Sequence, residues 1–323
     1  MPKIAIAQVA PVFLNKAACV EKAVAVIAEA ARHGAELVVF PETWIATYPL
    51  WSGGAAGWDD PDAKEAFALL HANSVDVPGP EVDTLVRSAR ENEVIVVMGV
   101  NERNAEASRG TLFNTLLTID PDKGLLGRHR KLMPTHAERL FWGLGDGSDI
   151  RVHETSIGRL GSAICWEHWM PLNRFALHSL GEQVHVAVFP DVNPIHQLAV
   201  RSYAFEGRTF VIAAGTYMGL ESVPAAFPLR HVLGEEDPKV LLAGGSAVAA
   251  PDGEWVVEPV LGYEEIIYAD IDLARISREQ FVLDVAGHYN RPDVFQLRVF
   301  SNPKPAVCWD QASLGNQDSE DDL

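Results

Sequence analysis

Short, nearly uninterrupted apolar runs alternate with helix-length segments along most of this chain, and that rhythm limits the fold more than any other feature. Residues 36–40, 94–98, 160–164, 184–189 and 209–214 are strand-sized and rich in small and branched side chains. That pattern predicts strands covered on both faces. Helix punctuation stands between several of them: Asn15 is placed to cap a helix that reaches His33, with Gly34 as its stop. Residues 81–92, 195–208 and the stretch from Leu273 are helical in pattern, and Pro171 opens a helix closed by Gly181. Asp120-Pro-Asp-Lys123 joins 115–119 to 124–130 as a hairpin, and Pro251-Asp-Gly253 does the same within 246–257. Residues 3–10 and 266–271 read as further strands. Strands alternating with helices, plus antiparallel hairpins, predict an α/β protein with a mixed sheet.

A chain of 323 residues, 48% hydrophobic and 22% charged, can bury about three quarters of its unfolded surface. No linker or fixed repeat divides it, so one domain over residues 1–300 is expected. A tail at 301–323 follows, whose end, Asp318-Ser-Glu-Asp-Asp-Leu323, is acidic and patternless and is expected to be disordered. Residues 50–80 form a long Gly-, Asp- and Trp-rich excursion around a short helix at 62–72, and excursions of that size are commonly functional. No run approaches the ~18 apolar residues of a membrane span, and the first residues read as a strand rather than a secretory leader. The formal charge of −18 opposes nucleic acid or anionic membrane as a partner. Three scattered cysteines, Cys19, Cys165 and Cys308, make neither a disulfide framework nor a zinc site, so a cytoplasmic location and no metal or cofactor are expected.

Sites in open α/β sheets form beyond the carboxyl ends of strands, and three strands here end on a reactive side chain. The first runs into Phe40-Pro-Glu-Thr-Trp44, the second ends in Arg128-His-Arg-Lys131, and the third ends at Cys165. Each has a bland alternative: Glu42 as an exposed loop carboxylate, 128–131 as a solvated hairpin face, Cys165 as a packed core thiol. His168, His178 and His185 lack metal spacing and read as surface or supporting residues. Strand alternation puts Arg128 and Arg130 on one face, with His129 and Lys131 on the other. Together, the three side chains make a workable set. Apolar neighbours would raise the Glu42 pKa toward that of a general base, and Lys131 would lower that of the Cys165 thiol and donate a proton to nitrogen.

With Phe40-Pro-Glu-Thr-Trp44, Arg128-His-Arg-Lys-Leu-Met-Pro-Thr-His-Ala-Glu-Arg139, Cys165-Trp-Glu-His-Trp-Met-Pro-Leu172 and Asp284-Val-Ala-Gly-His-Tyr-Asn-Arg-Pro-Asp293 in order, the chain resembles the nitrilase superfamily. It looks most like the true nitrilase branch. The resemblance implies a four-layer α-β-β-α sandwich with two mixed sheets, and homodimers that build larger spiral homo-oligomers. It implies Glu42 as base, Lys131 as cationic acid, Cys165 as nucleophile and Glu138 as the glutamate that orients Lys131. The implied reaction takes a small-molecule nitrile to its acid and ammonia through a thioimidate and a thioester, without cofactor. An amidase, a cyanide-hydrating relative or a non-catalytic scaffold are the alternatives. His168 stands where many nitrilases have Asn. Tyr48, Trp142, Trp166, Pro190, Asp191 and Val192, beside these positions or just past strand ends, are expected to wall the pocket.

Overall fold

The computed structural model describes residues 1–55, 57–104, 108–235 and 239–303. Its first half runs β1 (Lys3–Gln8), α1 (Lys16–Arg32), β2 (Leu37–Val39), α2 (Pro61–Ala72), β3 (Val75–Asp76), α3 (Pro80–Glu91), β4 (Ile95–Arg103), β5 (Leu112–Asp120) and β6 (Gly124–Arg130). The second half runs β7 (Val152–Thr155), β8 (Gly158–Ile164), α4 (Pro171–Ser179), β9 (Val184–Val188), α5 (Pro194–Gly207), β10 (Phe210–Ala214), β11 (Tyr217–Gly219), β12 (Val240–Ala249) and β13 (Trp255–Leu261). Strand β14 (Glu265–Asp270) then returns to the first half, and α6 (Ala274–Gln280) follows.

These strands form two mixed sheets. One has the order β14-β1-β2-β4-β5-β6 with β3 beside β4, and the other the order β11-β12-β10-β9-β8-β7 with β13 beside β12. Strands β1, β2 and β4 are parallel, as are β8, β9 and β10, while the hairpin partners run antiparallel.

Alternation along each strand separates the layers. Ile4 and Ile6 of β1, Leu37 and Val39 of β2, and Ile95 and Val97 of β4 pack with Val184, Val186 and Ile212 of the other sheet. Ala5, Ala7, Val38 and Val96 point the opposite way, beneath Val20, Ala23 and Ile27 of α1 and Leu85 and Ala89 of α3. Val200, Tyr203 and Ala204 of α5 close the far side. The layers are therefore α-β-β-α, and strands covered on both sides have no polar face to show, which is why their sequences are nearly continuous apolar runs.

Helix ends follow the expected chemistry. Asn15 accepts a hydrogen bond from the Ala18 N–H at 3.1 Å and Asp60 does the same for Ala63 at 2.8 Å. Strands β3, β7 and β11, of two to four residues, have no counterpart in the sequence reading because such segments are too short to show a period. Strand β12 starts at Val240, earlier than the hairpin signal, and its register to β13 shifts at three places. Residues 281–303 carry no helix or strand. The expected tail lies outside the described residues from 304 onward, and so does Cys308. Among the described residues no helix is long and apolar enough to cross a membrane.

Candidate active site

Strands β2 and β6 run in the same direction, because β2 is parallel to β4 and two antiparallel steps separate β4 from β6. Their carboxyl ends meet at one edge, and β8 delivers Cys165 to that edge from the facing sheet. The backbone tightens the junction: the Glu42 N–H donates to the Phe189 carbonyl just past β9, at 3.4 Å. Lys131 Nζ donates to Glu42 Oε1 at 2.8 Å and to Glu138 Oε2 at 2.7 Å. Asn114 Nδ2 donates to the same Glu42 Oε1 at 2.6 Å, while Glu42 Oε2 is buried with no partner among the described residues. Glu42, Lys131, Glu138 and Cys165 are each at least 97% buried, and the charges of the first three all act on the Cys165 thiol. The readings of Glu42 as an exposed carboxylate and of the basic patch as a solvated face are therefore set aside. Arg128 and Arg130 instead share buried Glu102, at 2.9 and 2.6 Å, on the opposite face from His129 and Lys131.

The electrostatics depart from the sequence expectation at the thiol. Burial and the Glu42 charge outweigh Lys131, so the Cys165 pKa lies well above its usual value and the resting group is S–H. Glu42 itself is pushed up to about 7, by burial first and by Glu138 in addition, against the pull of Lys131. Lys131 is held protonated by the same carboxylates although burial alone would lower its pKa. Cys165 has φ +53, a left-handed conformation that costs a non-glycine residue energy, and strained positions of this kind concentrate at functional sites. In that conformation the Trp166 N–H is hydrogen-bonded to the sulfur.

Several supporting contacts gave no signal in the sequence. Thr43, Ala46 and Thr47 are also left-handed. Their loop is held by Asn101 Nδ2, which donates to the carbonyls of Ile45 at 3.2 Å and Thr47 at 3.0 Å. Trp142 Nε1 donates to Asn101 Oδ1 at 3.0 Å, and Tyr48 OH donates to Glu138 Oε1 at 2.7 Å. Glu167, conspicuous only as part of the Cys-Trp-Glu motif, ties the ends of β6 and β8 together. It accepts from Leu132 N at 2.8 Å, Ile164 N at 2.7 Å and His129 Nε2 at 2.8 Å. Gly99 lies directly beneath the Glu42 loop, where a Cβ would run into the Pro41 carbonyl and lie 2.6 Å from Thr43 N. Gly99→Ala is therefore expected to cost about 1–3 kcal/mol in denaturant unfolding, as overpacking does. By moving Glu42 it should also lower turnover about 10²-fold in initial-rate assays.

The six wall candidates are placed unevenly. Tyr48 and Trp142 adjoin the charged cluster, with ring centroids 5.7 Å apart and Lys131 Nζ 6.0 Å from the Trp142 ring. Trp166 is 45% exposed beside Cys165. Asp191 is half-buried and its pKa is raised by that burial. The Pro190 carbonyl accepts from Thr216 N at 2.8 Å, and Val192 is fully enclosed in the core. His168, His178 and His185, expected at the surface or in support, are all buried, so the surface alternative is corrected. The described residues hold no trio of His, Cys, Asp or Glu arranged for a metal ion.

Comparison with known proteins places this architecture. A carbon–nitrogen hydrolase from Helicobacter pylori G27 superposes with a TM-score of 0.69 over 90% of this chain and 96% of its own, at 18% identity, which establishes a shared fold. The carbon–nitrogen hydrolase family model matches residues 3–279, and the chain belongs to that family. Within it, curated relatives at about 40% identity carry nitrilase names. One from Bradyrhizobium diazoefficiens is 41% identical over 94% of both chains. A bifunctional nitrilase/nitrile hydratase of Lupinus angustifolius is 40% identical over 97% of this chain and 90% of its own. The chain falls in the nitrilase branch.

Proposed function

We propose that this protein hydrolyses an organic nitrile to the carboxylic acid and ammonia through a covalent intermediate on Cys165. The observation that carries the reading is the division of labour on Glu42: Oε1 is held by Lys131 and Asn114, Oε2 is buried without a partner among the described residues, and the Glu42 charge acts on the Cys165 thiol. The sulfur attacks the nitrile carbon as its proton passes to Glu42 Oε2, and Lys131 gives a proton to the nitrile nitrogen, leaving a thioimidate. Glu42 then returns that proton to Lys131 across their 2.8 Å contact. A first water adds to the carbon, passing one proton to the nitrogen through Glu42 and, as the carbonyl forms, its second through Lys131, so that ammonia departs and a thioester remains. A second water adds, the carbon–sulfur bond breaks and the acid is released with the thiol restored, so that two waters are consumed per nitrile. Trp166 N–H, hydrogen-bonded to the sulfur, can stabilise the negative charge that develops there as the thiol proton leaves. Glu138, itself fixed by Tyr48 and by Thr135 N at 2.6 Å, orients Lys131. Tyr48, Trp142, Trp166, Pro190, Asp191 and Val192 are the proposed pocket wall, Val192 contributing through its backbone.

The test is ammonia release from aliphatic, aryl and arylaceto nitriles, with the matching amides as controls. Nitriles should be substrates, and ammonia from amides alone would overturn the reading in favour of an amidase. Release of some amide is a second outcome favoured by the Lupinus relative's description, and it requires only that sulfur leave before nitrogen.

The base also fixes a pH dependence. Glu42 must be ionised to take the thiol proton, and its pKa is raised to about 7. Below that value kcat/KM should fall about tenfold per pH unit, measured as initial rates between pH 5 and 9. A flat profile down to pH 5 would remove Glu42 from the role.

Cys19 and Cys165 are both free thiols, in keeping with a reducing, cytoplasmic setting. Leu198 and Phe205 lie exposed along α5, and Phe281, Phe295 and Phe300 follow α6 uncovered. Such apolar surface fits the proposed homodimer and larger assemblies, and light scattering should report a species above the monomer mass of 35.3 kDa.

A further inference from the structure

Behind Cys165, on the side away from Glu42 and Lys131, a file of buried polar groups runs toward α5. His168 Nδ1 lies 2.7 Å from the carbonyl oxygen of Cys165, and its Nε2 lies 2.9 Å from His185 Nε2. His185 Nδ1 is 2.8 Å from Glu182 Oε2. The other Glu182 oxygen accepts from His178 Nδ1 at 3.0 Å and from the Tyr203 hydroxyl at 2.5 Å. All five side chains are buried, with His185 and Tyr203 stacked at 4.0 Å between centroids. The reaction proposed above uses none of them.

Donor and acceptor chemistry determines where the protons lie. A carbonyl oxygen can only accept, so His168 Nδ1 must carry hydrogen. His168 Nε2 and His185 Nε2 face each other, and only one of the two can donate. Were His168 the donor it would be a cation, with no carboxylate in contact. Burial and the neighbouring His185 oppose that state, and the His168 pKa is pushed down to about 3. His185 is therefore the donor. Its Nδ1 faces Glu182, whose pKa, against the opposing effect of burial, is drawn down to about 2 by His185 and His178.

We infer that Glu182, His185 and His168 are positioning residues for the nucleophile: Glu182 and His185 fix His168 as the tautomer with hydrogen on Nδ1, and that N–H clamps the Cys165 carbonyl. The clamp has a reason to exist. Cys165 sits in a strained left-handed conformation at φ +53, and the peptide that begins with its carbonyl carries the Trp166 N–H that meets the sulfur. Holding the oxygen of that peptide holds its N–H as well, since the group is planar. Arg174 Nη1 binds the His168 carbonyl at 3.2 Å and fixes the other side of the same turn.

This inference takes from the proposed function only that Cys165 is the nucleophile, and its test includes two readouts that need no nitrile turnover. In protein labelled with ¹⁵N-histidine, His168 is expected as the neutral Nδ1–H tautomer at pH 7, with hydrogen on His185 Nε2 facing it. A His168 with hydrogen on Nε2 overturns the inference. Alkylation of Cys165 by iodoacetamide, followed by peptide mass, reports the thiol directly. His168→Leu removes the clamp, and both alkylation and kcat should fall about 10²-fold with KM within about threefold, as expected for a misplaced reacting group. His168→Asn places an amide N–H where Nδ1 stood and should recover at least tenfold of that loss in both assays. Should His168→Leu remain folded by circular dichroism with alkylation and kcat at wild-type values, or should Asn fare no better than Leu, the clamp is refuted. If His168→Leu fails to fold, the Asn variant and the tautomer spectrum decide. A protein that never turns over nitriles yet gives the expected spectrum and alkylation rates would refute the proposed function and leave the clamp standing.

Discussion

Cys165→Ala is expected to remove turnover, by at least about 10⁴-fold, because the nucleophile of a covalent mechanism has no substitute within the site. Of the other cysteines, Cys19 belongs to α1, packs against the far side of the first sheet and donates to the Val12 carbonyl at 3.1 Å, and Cys308 lies outside the described residues. The fold should survive. Alanine and cysteine tolerate the left-handed turn about equally, and loss of one buried sulfur leaves a small cavity worth roughly 1–2 kcal/mol. Denaturant unfolding and ammonia release on the same preparation separate the two effects. In the wild type a slowly processed nitrile should leave a mass adduct on the Cys165 peptide. An adduct on Cys19, or residual activity above 1% of wild type in the alanine variant (a loss of less than about 10²-fold), would assign the chemistry elsewhere.

Lys131→Met should impair both activity and stability. The side chain is wholly buried between Glu42 and Glu138, and an uncharged replacement leaves two carboxylates confined together with no cation. Breaking a buried ion pair from one side typically costs about 3–5 kcal/mol. Turnover should fall about 10³-fold or more, since the proton donor to nitrogen and the orientation of Glu42 are lost together. The stability deficit carries a pH signature. Without the ammonium, burial is left unopposed at Glu42 and holds its folded pKa above the unfolded one, so ionising it opposes folding. The penalty should be small near pH 5, where Glu42 is protonated, and grow as the pH rises through its folded pKa. Chemical denaturation of wild type and variant at pH 5 and pH 8 measures this. A deficit equal at the two values, or larger at pH 5, would mean that Lys131 does not neutralise the pair.

Much of this architecture is legible in the chain because it depends on local rules. The run at 36–40 has to be a doubly covered strand since it offers no polar face, and Asn15 caps α1 through its own side chain to Ala18 N. The period of two along β6 correctly separated Arg128 and Arg130 from His129 and Lys131. What escaped were elements without a period, such as β3 and β7, and partners distant in sequence. Asn114 reaches Glu42 across 72 positions and Tyr48 reaches Glu138 across 90, and neither pairing leaves a mark on its neighbours. The three histidines show the same limit: nothing around His168, His178 or His185 announces that Glu182 and Tyr203 will enclose them.

The sequence alone determined which side chains end strands β2, β6 and β8, and hence which could meet. Only the tertiary structure decided their charge states. Packing two sheets face to face excludes water from that edge, and in its absence Glu42 rises to about 7 and the thiol of Cys165 keeps its proton. Residue identity cannot reveal this, because ionisation depends on desolvation and on charges brought close by the fold.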